Sequence, residues 1–223
     1  MLNARNIFLF YFLSIFSNQI LFAQIVNMES ARKENLSGFH FQANLGLNGS
    51  SGTVDRTNYS VETRIDYNSD NWQRFGVFSY KREEKDDSIT SNNTFFHLRA
   101  VRKVNGLLSL EVFTQLSEKP LQKIKRRELF GAGFRLSPYK SIRLGLGLFD
   151  ENEERILSDT RKTTRLNTYI TNDFKISNTA TFESTLYVQP DIDDFSELRS
   201  FFVTGLRLKT VSYTHLRAHE TEA

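Results

Sequence analysis

The chain has 223 residues, 29 basic against 26 acidic, and its formal charge of +3 is too small an excess to point to nucleic acid. It contains no cysteine, which argues against both a disulfide-stapled domain and a lipoprotein. A mean hydropathy of -0.42 excludes a helical membrane protein but not a membrane β-barrel, in which only alternate residues meet lipid.

In chain order, residues 1–23 read as a cleavable secretory signal. Arg5 and Asn6 form a polar start, Ile7–Phe16 is an apolar core broken by Ser14, and Ala23 closes a cleavage site before Gln24. Leu21 is larger than the small residue usual in such a site. A membrane-spanning helix needs about 20 apolar residues, and Ser17, Asn18 and Gln19 end this run too early. Residues 24–37 then form a periplasmic lead-in to one domain over residues 38–210.

That domain divides into about ten segments of roughly ten residues each, with period-two alternation of apolar and polar side chains. The gaps alternate. Ser50–Arg56, Arg82–Asn92, Ser117–Lys125, Asp150–Thr163 and Pro190–Glu197 are long, whereas Asn68–Asn71, Val104–Gly106, Ser137–Lys140 and Lys175–Asn178 are short. Short periplasmic turns and longer extracellular loops are the pattern of an all-β, antiparallel transmembrane β-barrel. Phe39, Phe41, Ala43, Leu45 and Leu47 share one face, opposite His40, Gln42, Asn44, Gly46 and Asn48. Leu108, Leu110 and Val112 oppose Ser109 and Glu111, while Phe130, Ala132 and Phe134 oppose Arg127, Gly131, Gly133 and Arg135. Leu144, Leu146 and Leu148 oppose Arg143, Gly145 and Gly147. Trp72–Lys81 is ambiguous, because Phe75 and Val77 compete with Phe78 and Tyr80 for the apolar face.

In lipid every backbone donor and acceptor must be paired within the protein, so strands survive there as a closed barrel with the apolar set outward. Tyr67, Trp72 and Tyr139 fall at the short-turn side and Tyr59 and Tyr80 toward the long gaps, as interfacial girdles would. The competing arrangement is a soluble, lipocalin-like carrier with the apolar set inside. The tail, residues 211–223, reads as the translation of a common sequencing adapter. On that reading His215, His219 and Glu220 only imitate a metal-binding helical pair.

Phe96-His97-Leu98-Arg99, Leu108–Gln115, Arg127–Arg135, Tyr187–Pro190 and Glu197-Leu198-Arg199 together resemble the YdiY-like outer-membrane proteins, also called domain of unknown function 481. The resemblance covers roughly Gly38 to Lys209. It implies a barrel in the outer membrane of a Gram-negative cell, sometimes described as salt-induced, with no established activity. The family's last strands and terminal aromatic residue are absent here, so ten strands of an expected twelve are present and the C-terminus is expected to be truncated. Expected partners are outer-membrane lipid and the barrel-assembly machinery; no nucleic acid, cofactor or metal is expected, and the ligand is unknown.

The inward set carries the candidate site, a lumen-lining charge network of Arg99, Glu111, Gln115, Arg127, Arg135, Arg143, Arg165, Glu183 and Arg199. Arg207, Glu62, Asp66 and Asp173 share its face. Glu111 is expected within reach of both Arg99 and Arg127. Paired charges with bidentate arginine hydrogen bonds can fill a narrow barrel while satisfying each other. The same basic lining could instead favour anions in a pore. Gly131, Gly133, Gly145 and Gly147 would thin the wall, and could admit bulky side chains from across the lumen or leave a small cavity. His97 with Ser109 on the next strand is a conceivable nucleophile–base pair, and both are assigned to the lumen rather than the lipid-facing rim. Asp191, Asp193 and Asp194 lack the ordered spacing of a calcium loop. The expected function is therefore non-enzymatic, structural or stress-related, with a largely filled lumen. A small-solute channel with anion preference, an outer-membrane lipid hydrolase and the soluble carrier are the alternatives.

Overall fold

The computed structural model describes residues 25–29, 32 and 36–209. The proposed signal and adapter segments lie outside the described residues. Ten strands follow in chain order: β1 (Gly38–Ser50), β2 (Arg56–Asn68), β3 (Trp72–Lys85), β4 (Ser88–Lys103), β5 (Leu108–Lys119), β6 (Ile124–Tyr139), β7 (Ile142–Arg155), β8 (Arg161–Lys175), β9 (Ala180–Pro190) and β10 (Leu198–Leu208). Each pairs antiparallel with its sequence neighbours in one sheet. No pairing joins β1 to β10 among the described residues, so they form the two edges.

The sheet curls on itself. Tyr169 on β8 donates its hydroxyl to Glu111 on β5 at 3.1 Å, and Arg199 on β10 donates to Glu151 on β7 at 2.7 Å. Residues opposite each other in an antiparallel ladder point to the same side, so the register sorts each strand into two faces. One outward row runs Ile65, Gly76, Leu98, Thr114 and Phe130. Outward Leu45 is 80% exposed and Phe130 65%, whereas inward Arg165 and His97 are each 1% exposed. Charge inside and apolar surface outside is the reverse of a lipocalin-like carrier, and that alternative is overturned.

The register also resolves β3. Phe75 faces inward opposite Arg99, while Phe78 and Tyr80 point outward beside Phe96 and Thr94. The apolar residues of β3 thus fall on both faces, which is why alternation failed there.

The loop lengths differ from expectation. The gap Arg82–Asn92 is mostly strand, because β3 runs to Lys85, β4 begins at Ser88, and only Asp86 and Asp87 turn. Their φ values of 47° and 59° are the left-handed pair that a two-residue hairpin requires. The gap after Asp150 narrows similarly, with β7 ending at Arg155 and β8 starting at Arg161. Continuing the ladder pairs backbone groups that a loop would leave to water, and exposed pairs such as Lys125–Glu154 at 2.6 Å line these extensions. The asymmetry between the two ends is therefore carried largely by polar strand extensions. The segment between Pro190 and Leu198 remains a loop.

Candidate functional site

The filled interior is layered. At mid-height the wall is thinned by glycines that face large rings. A Cβ on Gly145 would stand 1.9 Å from the ring of Tyr169, its cross-strand partner. A Cβ on Gly131 would stand 2.6 Å from Phe113 and 2.7 Å from Phe149. Without those side chains, the rings lie flat against backbone and reach across the lumen. Phe113, Leu129 and Phe149 form one buried cluster. His97 stacks on Phe113 at 5.9 Å and on Phe95 at 6.3 Å between ring centroids.

Below this layer, toward the short turns, lies the first charge cluster. Its centre is Glu29, contributed by the segment that precedes β1. This segment enters at the short-turn end, where Asn68 donates to the Leu36 carbonyl at 2.9 Å. It rises far enough for Ile25 to pack against Tyr169 and Tyr187. Glu29 accepts hydrogen bonds from Arg32 at 2.8 Å and from Arg99 at 3.0 Å, and lies 3.5 Å from Arg135. Arg32 also donates to Glu111 at 2.6 Å and to Gln73 at 3.2 Å. Burial favours the protonated form of Glu29. The guanidinium groups of Arg32, Arg135 and Arg99 outweigh that burial and hold the carboxyl at about 2. Residues 24–37, expected to lead in from the periplasm, thus contribute Ile25, Met28, Glu29 and Arg32 to the interior.

Above the aromatic layer lies the second cluster, centred on Glu151. It accepts from Arg127 at 2.5 Å, from Arg165 at 3.0 Å and from Arg199 at 2.7 Å. Arg165 further donates to the carbonyls of Gln189 at 3.3 Å and Glu197 at 3.0 Å, which ties the last loop to the interior. Between the clusters the central cavity is only about 30 Å³. A larger one, about 690 Å³, opens at the short-turn end beside Glu29, Arg143, Asp173 and Arg207.

Every residue of the expected network faces the interior, but not in one group. Arg99 lies 3.6 Å from Glu111, as expected. Arg127 does not reach Glu111. It sits opposite Ser117 and Glu153, in rows nearer the long-gap end, and joins Glu151 instead. Gln115 is buried opposite His97. Arg143 pairs with Asp173 at 3.1 Å, and Glu183 with Arg207 at 2.6 Å, both near the short-turn end. Ser109 lies opposite Lys103 rather than His97, roughly 20 Å along the strand from it, so the conceivable nucleophile–base pair does not form. In the acidic loop, Asp191 accepts the Asp193 N–H and Asp194 accepts the Ser196 N–H, each at 3.0 Å. No three carboxylates, histidines or cysteines converge as a metal site among the described residues.

Sequence reasoning missed Glu29, Arg32 and Glu151. The last falls in the expected long gap Asp150–Thr163, whereas β7 continues to Arg155. One signal was available: the inward arginines outnumber the inward carboxylates assigned to them, so further counter-charges had to come from elsewhere in the chain.

No curated protein matches the chain. Among solved structures it is similar to OmpT, an outer membrane protein of Vibrio cholerae, at 6% identity and TM-score 0.39, over 68% of this chain and 53% of that one. It is similar to the KdgM porin at 12% identity and TM-score 0.42, over 79% of this chain and 100% of that one. It is also similar to the translocator domain of the autotransporter NalP from Neisseria meningitidis, at 14% and 0.42, over 80% of this chain and 79% of that one. A family model described as protein of unknown function, DUF481, matches residues 43–219, and the chain belongs to that family.

Proposed function

We propose that the chain is a non-enzymatic barrel of the Gram-negative outer membrane, structural or stress-related, whose lumen is closed by its own N-terminal segment. The observation that carries this reading is Glu29, a buried carboxylate from outside the strands that meets Arg99 and Arg135 of the wall. Membrane residence is supported by outward apolar rows, such as that of Leu108, Leu136, Leu144, Ile170, Leu186 and Phe202, which runs unbroken by charge across six neighbouring strands. A spanning strand needs about 9–11 residues. The strands here have 11 to 16, and the surplus is polar and lies mainly at the long-gap end. The separation of His97 from Ser109 supports the non-enzymatic reading over a lipid hydrolase.

A second reading is a small-solute channel with anion preference. It is favoured by the basic wall that the segment covers, and by the 690 Å³ cavity beside Arg143 and Arg207. Planar-bilayer recording separates the two. The first reading expects silence from the protein as it stands, and from a variant lacking residues 25–36 it expects stepwise, anion-selective current. Steady current before the deletion favours the channel. Silence both before and after it would mean that this segment is not what closes the lumen.

A further inference from the structure

Across the described strands, the outward row of charges is uneven. Among the exposed basic side chains at the long-gap end, Arg82 pairs with Glu84, Lys125 with Glu154 and Arg126 with Glu128. At the short-turn end the outward-facing strand positions carry Arg74 and Arg102, both positive and on adjacent strands. Neither makes an ion pair or hydrogen bond through its side chain among the described residues, Asp70 of the adjoining turn included. Aromatic faces hold both. The Arg74 guanidinium lies 4.6 Å from the centroid of Trp72 and 5.5 Å from that of Tyr67, and the Arg102 guanidinium lies 5.8 Å from Trp72.

Directly beyond them, deeper along the outward face, lies an apolar groove of about 470 Å³ lined by Ile65, Gly76, Leu98, Ala100, Val112 and Phe130. It is hollow because its floor is small. Gly76 has no side chain, Leu98 leans over it, and Ala100 adds only a methyl. A guanidinium facing hydrocarbon is costly, and least so at the interface, where an anionic headgroup can meet it. Two of them beside one indole match the oxygens of a phosphodiester, since the guanidinium fork suits phosphate.

From this juxtaposition we propose that the outward face of β2 to β5 binds one anionic glycerophospholipid, with its phosphate at Arg74 and Arg102 and an acyl chain along the Gly76–Ala100 groove. The site rests on the membrane reading above and adds to it a lipid class and a position, the leaflet at the short-turn end. A zwitterionic lipid would bring its own cation to the two guanidinium groups and is disfavoured.

The test is native mass spectrometry of the folded protein released from non-ionic detergent, titrated with phosphatidylglycerol or phosphatidylcholine of identical chains. The expected result is one phosphatidylglycerol adduct with at least tenfold preference over phosphatidylcholine. Arg74→Gln/Arg102→Gln removes that preference, and Arg74→Lys/Arg102→Lys keeps part of it. Gly76→Leu, which fills the groove and leaves both charges, lowers occupancy at least threefold. Lys125→Gln/Arg126→Gln changes nothing. Equal binding of the two lipids by the unaltered protein, or preference surviving the double glutamine variant, overturns the site, as does preference for lipopolysaccharide over phosphatidylglycerol. Insertion into phosphatidylcholine vesicles, read as heat-modifiable gel migration, is measured in parallel. Insertion without lipid preference overturns the site alone, whereas failure to insert overturns the membrane reading with it.

Discussion

Replacing Glu29 by glutamine removes the carboxylate that Arg32, Arg99 and Arg135 share, while leaving the shape of the side chain almost unchanged. Removing one partner from a buried ion cluster costs about 3–5 kcal/mol, because the remaining charges stay buried without compensation. Glu111 remains 2.6 Å from Arg32 and 3.6 Å from Arg99, so the lower end applies. A loss of about 3 kcal/mol shifts the docked-to-undocked ratio of the segment by roughly 100-fold. The chain has no cysteine, so Ile25→Cys provides a single thiol on the docked segment, at a residue 6% exposed. Its rate of modification by a membrane-impermeant maleimide reports undocking. Ile25→Cys/Glu29→Gln should react about 100-fold faster than Ile25→Cys alone if opening is fast relative to labelling. Equal rates in the two proteins would refute the claim that the Glu29 cluster holds the segment in place.

The same carboxylate sets a pH dependence. Its docked value of about 2 lies below the ordinary 4.5, so docking releases the proton; the stabilisation is complete above about 4.5 and is lost as pH falls toward 2. A nitroxide on Asn27→Cys should therefore be immobile at pH 5 to 7 and gain mobility between 4.5 and 2; constant mobility through that window contradicts the assignment. Gly145→Val drives a side chain into the ring of Tyr169 and should cost about 1–3 kcal/mol in urea unfolding from vesicles, whereas Gly106→Ala, with open space around it, should be neutral. Asp87→Gly relieves a left-handed residue at the β3–β4 turn and should raise stability by up to about 1 kcal/mol in the same assay. A double-mutant cycle should give Arg127 strong coupling to Glu151 and none to Glu111, since only the first pair is in contact; the reverse result would restore the single-network arrangement.

Much of this was legible from local pattern. Period-two alternation alone sorts Leu144, Leu146 and Leu148 from Arg143, Gly145 and Gly147, because successive strand residues must point to opposite faces. The number of strands, their order and the charged interior follow from that. Where alternation fails, as around Phe75 to Tyr80, only cross-strand register decides which face is which. Strand ends escape local pattern for a related reason: Glu83 and Glu151 look like loop residues by charge, yet they continue ladders whose backbone partners lie on the neighbouring strand.

Neighbours along the chain are enough to set the strand meander and to sort side chains into an apolar and a charged face. Which charges meet depends on how the strands are staggered against one another. Arg99 and Arg127 occupy the same face, but the stagger between strands places them in different layers, one at Glu29 and the other at Glu151. Glu29 itself reaches the interior because the segment before β1 turns back into the curled sheet. No periodicity records that step, because the strand side chains that receive it, Gln73, Arg99 and Glu111 among them, lie 41 residues and more along the chain.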